Sequence, residues 1–324
     1  MQKSIVIGSK RKSEIFEHLL ISFPDLQLVG YIDPDDAQNF TMLGEFIMAL
    51  DFSKKADVFF VDRSVSNLPF SFISNLVKLG KHIFFDGYVN WESGTWTEIA
   101  KYATESGSII HFGHTLYNKP LFTSAIHLVK RPRLIKIEKY SLAPKSGEFS
   151  HWMFNHIFQE MDLVLRVMNN PIRSIHARPM FLFGQQTDLL NIQIEFANDA
   201  VAVINLGRAI EPNTHNFQIY QQDKLFSIDF QNNQLFEFRA ANNLQQLTLV
   251  EELDLEDRDV SLHSNLVKIE RNILLFDVWK MELRNFIENI EKNLTPMSHI
   301  DHVQNTAEVC EQIIEKIQRK YQEV

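Results

Sequence analysis

The amino-acid sequence predicts a doubly wound parallel α/β domain followed by an α+β domain whose open, largely antiparallel β-sheet is covered by helices. Three observations carry this prediction. Up to residue 120, short and wholly apolar runs alternate with amphipathic stretches of helical period. Strands that apolar are buried on both faces, and helices between them imply a parallel sheet. Beyond residue 120, strand-like runs follow one another with only turn residues between them, and helical stretches flank the series.

The first domain is assigned to residues 1–120. Its strands fall at 4–7, 26–32, 58–61, 82–85 and 108–112, with helices at 13–22, 69–79 and 93–105. Gly80 and Gly107 each stand just past a helix, where a left-handed residue ends the helical bonding. The second domain is assigned to 121–324, with closing helices able to pack back on the first. A helix at 121–129 leads to a strand at 134–141. A long helix follows at 149–168, stopped by Asn169-Asn170-Pro171. Residues 190–196 and 200–206 form a hairpin through Asn198-Asp199, and 217–221, 225–230 and 234–238 continue it. Residues 251–259 read as a solvated acidic connector. They lack the glycine and ligand spacing of a calcium loop. Helices at 278–292 and 303–321 close the chain, separated by Leu294-Thr295-Pro296.

Composition excludes several classes. A net charge of −9 over 324 residues argues against broad nucleic-acid binding, which needs a basic face. Cys310 is the single cysteine, so no intrachain disulfide forms, and its amphipathic surroundings suit a buried thiol. No apolar run reaches the length of a membrane span, and residues 4–8 are too brief for a signal-peptide core. A cytoplasmic protein without membrane contact is the expectation. His151 and His156 are spaced by five on one helix, a poor zinc pair, and no metal site is expected.

Five landmarks recur in a characteristic order. They are Ile5-Val6-Ile7-Gly8, Tyr31-Ile32-Asp33-Pro34, the stretch Lys81 to Tyr88, Gly113-His114-Thr115-Leu116-Tyr117-Asn118-Lys119-Pro120, and Met161-Asp162-Leu163-Val164-Leu165 before Asn169-Asn170-Pro171. Together they resemble the glucose–fructose oxidoreductase / inositol dehydrogenase (Gfo/Idh/MocA) family across nearly the whole chain. The resemblance implies a Rossmann-type first domain, a nicotinamide cofactor, a sugar or polyol substrate and a homo-oligomer formed through the second-domain sheet.

The expected site residues depart from that family's pattern. A dinucleotide turn reads Gly-x-Gly-x-x-Gly, but here it reads Gly8-Ser9-Lys10-Arg11-Lys12-Ser13. Either Lys10, Arg11 or Lys12 meets phosphate as a charge, or the turn is a solvated basic loop that binds nothing. Asp33 ends the second strand where a carboxylate accepts both ribose hydroxyls and repels a 2′-phosphate, so NAD is expected over NADP. The bland reading of Asp33-Pro34-Asp35-Asp36 is turn chemistry. Gly8, Lys10, Arg11, Asp33, Asp62 and Asp86 are the candidate cofactor-binding residues.

Family members carry a lysine in Glu-Lys-Pro after the fourth strand, and Asp-x-x-x-His-x-x-Asp on the long helix. Here Gly87 takes the lysine position, Asn155 the first aspartate and Gln159 the histidine, while Asp162 is retained. None of the three replacements accepts a proton at neutral pH. His156, one turn before Gln159, and Lys119 are the remaining catalytic candidates beside Gln159 and Asp162. His114 and Asn155 are candidate substrate contacts. The expectation is an NAD(P)-dependent oxidoreductase on a sugar- or polyol-like substrate that is weakened or inactive. The alternative is a non-catalytic ligand-binding or scaffold protein. A lyase or isomerase that retains its nicotinamide is a third option.

Overall fold

The computed structural model describes residues 2–8, 14, 16–18, 20–33, 49–62, 68–89, 91–113, 116–142, 149–183, 187–208, 213–240, 259–263, 266–274, 276–294 and 297–322. The chain divides into two compact units, one of Met1–Thr115 with Asp277–Glu308 and the other of Leu116–Phe276 with Val309–Val324.

The first unit holds five strands: β1 (Gln2–Ile7), β2 (Leu26–Ile32), β3 (Val58–Asp62), β4 (His82–Asp86) and β5 (Ile110–Phe112). They pair in parallel in the order β2-β1-β3-β4-β5. All five residues of β3 are buried, as strands covered on both faces must be. Alternate side chains of β4 serve opposite faces. Phe84 joins Val6, Phe60, Leu283 and Phe286 in one core cluster, whereas Phe85 stacks on Phe112 at 5.2 Å and meets Trp96 edge-on at 5.9 Å. Helices Phe70–Lys78 and Ser93–Ser106 connect the strands. Gly80 at φ +73° and Gly107 at φ +71° stop them as the sequence predicts.

The strand order reverses between β1 and β3. From β1 the chain moves outward to β2, returns to β3 and continues outward the other way. That reversal is a switch point at the carboxyl ends of β1 and β3, and sheets of this order bind ligands at such points.

The second unit is built on nine strands. β6 (Leu134–Tyr140), β7 (Ile172–Met180), β8 (Leu189–Phe196), β9 (Val201–Gly207), β10 (Thr214–Tyr220), β11 (Lys224–Asp229), β12 (Gln234–Ala240), β13 (Asp259–His263) and β14 (Leu266–Glu270) form it. Their order is β13-β14-β12-β11-β10-β6-β9-β8-β7. Every pairing is antiparallel except β6 with β9. Alternation is strict in β6 and β10, where Ile135, Ile137, Phe217 and Ile219 are buried and the residues between them are partly exposed. Helices Pro120–Ile126 and Phe149–Met168 belong to this unit.

Three expectations are corrected in detail. The helix expected at 121–129 stops at Ile126. The last helix begins at Met297 rather than 303. Asp259, expected in the acidic connector, opens β13, and the hairpin it makes with β14 was not anticipated; residues 251–258 lie outside the described residues. Asp-Val-Ser-Leu-His and Leu-Val-Lys-Ile-Glu do alternate, but the acidic run before them obscured the period. Cys310 is fully buried, which pushes its thiol pKa well up.

Candidate functional site

In the first unit the candidate residues stand at the carboxyl ends of the strands. Gly8 follows β1, and its N–H donates to Ile32 O at 2.8 Å, which ties the β1 turn to the end of β2. Asp33 comes next in the chain, beside Gly8, and is half-buried. Asp62 ends β3 fully buried. A Cβ placed on Gly8 would lie 2.9 Å from Asp62 Cβ, so glycine is required where the two strands meet.

Asp86 is buried at the end of β4, and Trp279 Nε1 donates to its Oδ1 at 3.2 Å. The Trp279 ring lies edge-on to Phe16 at 4.9 Å and tilted to Phe84 at 5.5 Å. Asp86 therefore anchors a core indole. Gly87 has φ +111°, a backbone that side-chain-bearing residues rarely adopt. His111, on β5, is buried and stacks on Phe84 at 5.0 Å. Lys10, Arg11, Lys12 and His114 lie outside the described residues.

In the second unit the long helix Phe149–Met168 faces the sheet. Asn155, His156 and Gln159 are partly exposed, and Asp162 is buried. Ser141 Oγ is 3.2 Å from His156 Nε2, just past β6. Arg166 Nε donates to both oxygens of Asp162, at 3.1 and 3.2 Å, and the guanidinium lies 4.4 Å from the Tyr117 ring centroid. Asp162 thus acts within an ion pair one helical turn long.

Beside Gln159 stands a buried group that the motif reading missed. Lys139 Nζ donates to Gln159 Oε1 at 3.1 Å and to Glu160 Oε1 at 2.8 Å. Glu160 is completely buried and also meets His215 Nε2, at 3.2 Å to Oε2. Burial by itself would raise the Glu160 carboxyl; His215 and Lys139 outweigh it and hold the group well below the usual carboxylate range. Burial lowers the His215 pKa, so its imidazole is neutral at pH 7 and donates Nε2–H to Glu160. His215 in turn packs on Phe230 with ring centroids 4.7 Å apart. Lys119 Nζ is 5.4 Å from the centroid of that same ring. Its pKa is lowered, first by burial and then by Lys139.

The signal for this group was present in the period. Lys139 follows Ile135 and Ile137 on the inward face of β6, and His215 precedes Phe217 and Ile219 on that of β10. A charged residue at an inward position needs a buried partner. Among the described residues, no group of three or more His, Cys, Asp or Glu could hold a metal ion, and no helix is long and apolar enough to cross a membrane.

No family model and no curated protein matches the chain by sequence. Solved structures do match it over nearly its full length. UDP-N-acetylglucosamine 3-dehydrogenase GnnA from Acidithiobacillus ferrooxidans superposes with a TM-score of 0.80 at 14% identity, covering 99% of both chains. The dehydrogenase MviM from Clostridium difficile gives 0.73 at 15% identity, covering 97% of this chain and 99% of its own. A dehydrogenase from Chromobacterium violaceum gives 0.70 at 11% identity, covering 100% of this chain and 99% of its own. The two sheets, their strand directions and the helices around them make the fold of this chain that of the Gfo/Idh/MocA-type dehydrogenases.

Proposed function

We propose that this chain binds NAD in preference to NADP, together with a sugar- or polyol-like small molecule, on an oxidoreductase fold whose hydride-transfer activity is weak or absent. The observation that carries the last part is the hydrogen bond from Lys139 to Gln159. An amide cannot take the proton of a substrate hydroxyl, and here its oxygen is already engaged by an ammonium group. At the family's lysine position, Gly87 lies in a backbone conformation that disfavours any longer residue.

The cofactor half of the reading is supported by the strand order and by Asp33. The first unit has its switch point between β1 and β3, and Asp33, half-buried beside Gly8, suits a ribose diol. Asp33 would accept from the ribose hydroxyls, and its charge would repel a 2′-phosphate. Bound there, the nicotinamide would supply a hydride acceptor. Asn155 and Gln159 would orient ligand hydroxyls by hydrogen bonds, and His156 would be restrained through Ser141. A sugar-like ligand is supported by the fold shared with GnnA, a UDP-N-acetylglucosamine 3-dehydrogenase. The partly exposed face of the second sheet suits self-association, and a monomer by light scattering would remove that part of the proposal.

The deciding assay is NAD reduction against a panel of sugars and polyols, with calorimetric NAD binding measured in parallel. The expected result is binding with turnover near background. Turnover near about 10 s⁻¹, a common enzyme value, would overturn the weakened site. The engaged Gln159 also favours a second reading, a non-catalytic ligand-binding protein, which gains if neither NAD nor NADP binds.

A further inference from the structure

Around Lys139 the described residues present hydrogen-bond donors in excess of acceptors. An ammonium group has three N–H bonds, and Glu160 and Gln159 accept two of those of Lys139. With one lone pair of its oxygen engaged by Lys139, Gln159 keeps both N–H bonds of its NH₂ to offer a ligand. Lys119 is partly exposed against Phe230, and among the described residues no carboxylate lies within ion-pair distance of it. Lys119 and His215 lie against the same Phe230 ring, and His215 and Lys139 meet the same Glu160, so two lysines share a neighbourhood in which the described contacts supply one carboxylate. A neutral sugar hydroxyl would leave the second lysine's charge unmatched, while an acceptor-only anion would satisfy both charge and donors.

We propose that Lys119, Lys139 and Gln159 form a subsite for an anionic group, carboxylate or phosphate, carried by a sugar-like ligand. The proposal rests on the reading that this end of the second unit takes such a ligand, and it adds the charge class. Lys119 supplies a partly exposed cation, Lys139 a buried one held by Glu160, and Gln159 a neutral donor whose direction Lys139 sets. The depressed pKa of Lys119, from burial and from Lys139, fits a cation whose stabilising anion arrives with the ligand.

The test is calorimetric titration of the full chain, with NAD present, using D-glucuronate, D-glucose 6-phosphate and D-glucose as probes. At least one anionic sugar should bind about tenfold or more tightly than glucose. Lys119→Met should abolish that preference and Lys119→Arg should retain it. Gln159→Glu, which turns a donor into an acceptor, should also abolish it, with thermal melting confirming that each variant is folded. Tighter glucuronate assigns a carboxylate, and tighter glucose 6-phosphate a phosphate. Equal binding of all three sugars, or a preference untouched by Lys119→Met, would sink the anionic subsite and leave the sugar reading standing. Absence of binding by all three would remove both.

Discussion

Lys139 donates to Glu160 across 2.8 Å, with the carboxylate wholly buried and the lysine nearly so. The two lie on a strand and on a helix, and together with His215 they set a polar group inside an otherwise apolar layer. Such a pair adds little net stability over an apolar one, yet breaking it is expensive, because the surviving charge remains buried.

Lys139→Met should therefore destabilise the protein by about 3–5 kcal/mol in urea denaturation. Lys139→Met/Glu160→Leu should recover much of the loss. If the single variant melted like the unmodified protein, the pair would not be isolated from water as the structure places it.

Acid should weaken the fold through the same group. His215 has a folded pKa below its ordinary 6.5, and Glu160 one well below 4.5. In both cases the unfolded chain binds protons more readily, so the stabilisation is complete above the unfolded pKa and is lost as pH falls. The His215 contribution should fade on descending through 6.5, that of Glu160 below 4.5, each with a slope of up to about 1.4 kcal/mol per pH unit. His82, lowered by burial, adds in the same direction as His215. Urea midpoints measured from pH 8 to 5 should fall, and His215→Phe should flatten part of that fall. An unchanged profile in this variant would contradict a neutral buried imidazole.

Gly8 and Gly30 make opposite predictions for the same substitution. A Cβ at Gly8 meets Asp62 Cβ at 2.9 Å, whereas one at Gly30 meets nothing within 4 Å. Gly8→Ala should cost about 1–3 kcal/mol through the shift it forces between β1 and β3. Gly30→Ala should be neutral or slightly stabilising, since alanine loses less chain entropy on folding. Equal melting temperatures for the two variants would remove the close approach of β1 and β3.

Asp33→Ala should weaken NAD binding by about 1–3 kcal/mol through loss of charge-assisted hydrogen bonds, and should narrow the preference over NADP. Calorimetry with both dinucleotides checks this. Equal or tighter NADP binding by the unmodified chain would end the assigned role of Asp33.

Much of the frame was legible in the sequence because it depends on period and punctuation. Continuous apolar runs such as Val58-Phe59-Phe60-Val61 read as doubly covered strands and are so. Gly80 and Gly107 marked helix ends because only a left-handed residue closes them there. The helix from Phe149 to Met168 came through with both bounds, since Asn169-Asn170-Pro171 cannot continue it. The β13/β14 hairpin was missed behind an acidic run, and the parallel β6–β9 pair could not be read because period does not encode a strand's neighbour.

What the sequence by itself determined was the identity of the groups at the expected positions: Gly87, Asn155, Gln159 and Asp162, with no lysine and no histidine among them. The alternation in β6 also carried the signal for an inward Lys139, but the strand read at 217–221 stopped short of His215. Only the tertiary structure decided what those inward charges meet. Lys139 reaches Gln159 and Glu160 over 20 and 21 positions of chain, and His215 reaches Glu160 over 55. Strand period selects a face but not the partner across it. Pairing a buried charge is a matter of distance and dielectric between elements, and those exist only once sheet and helix have packed.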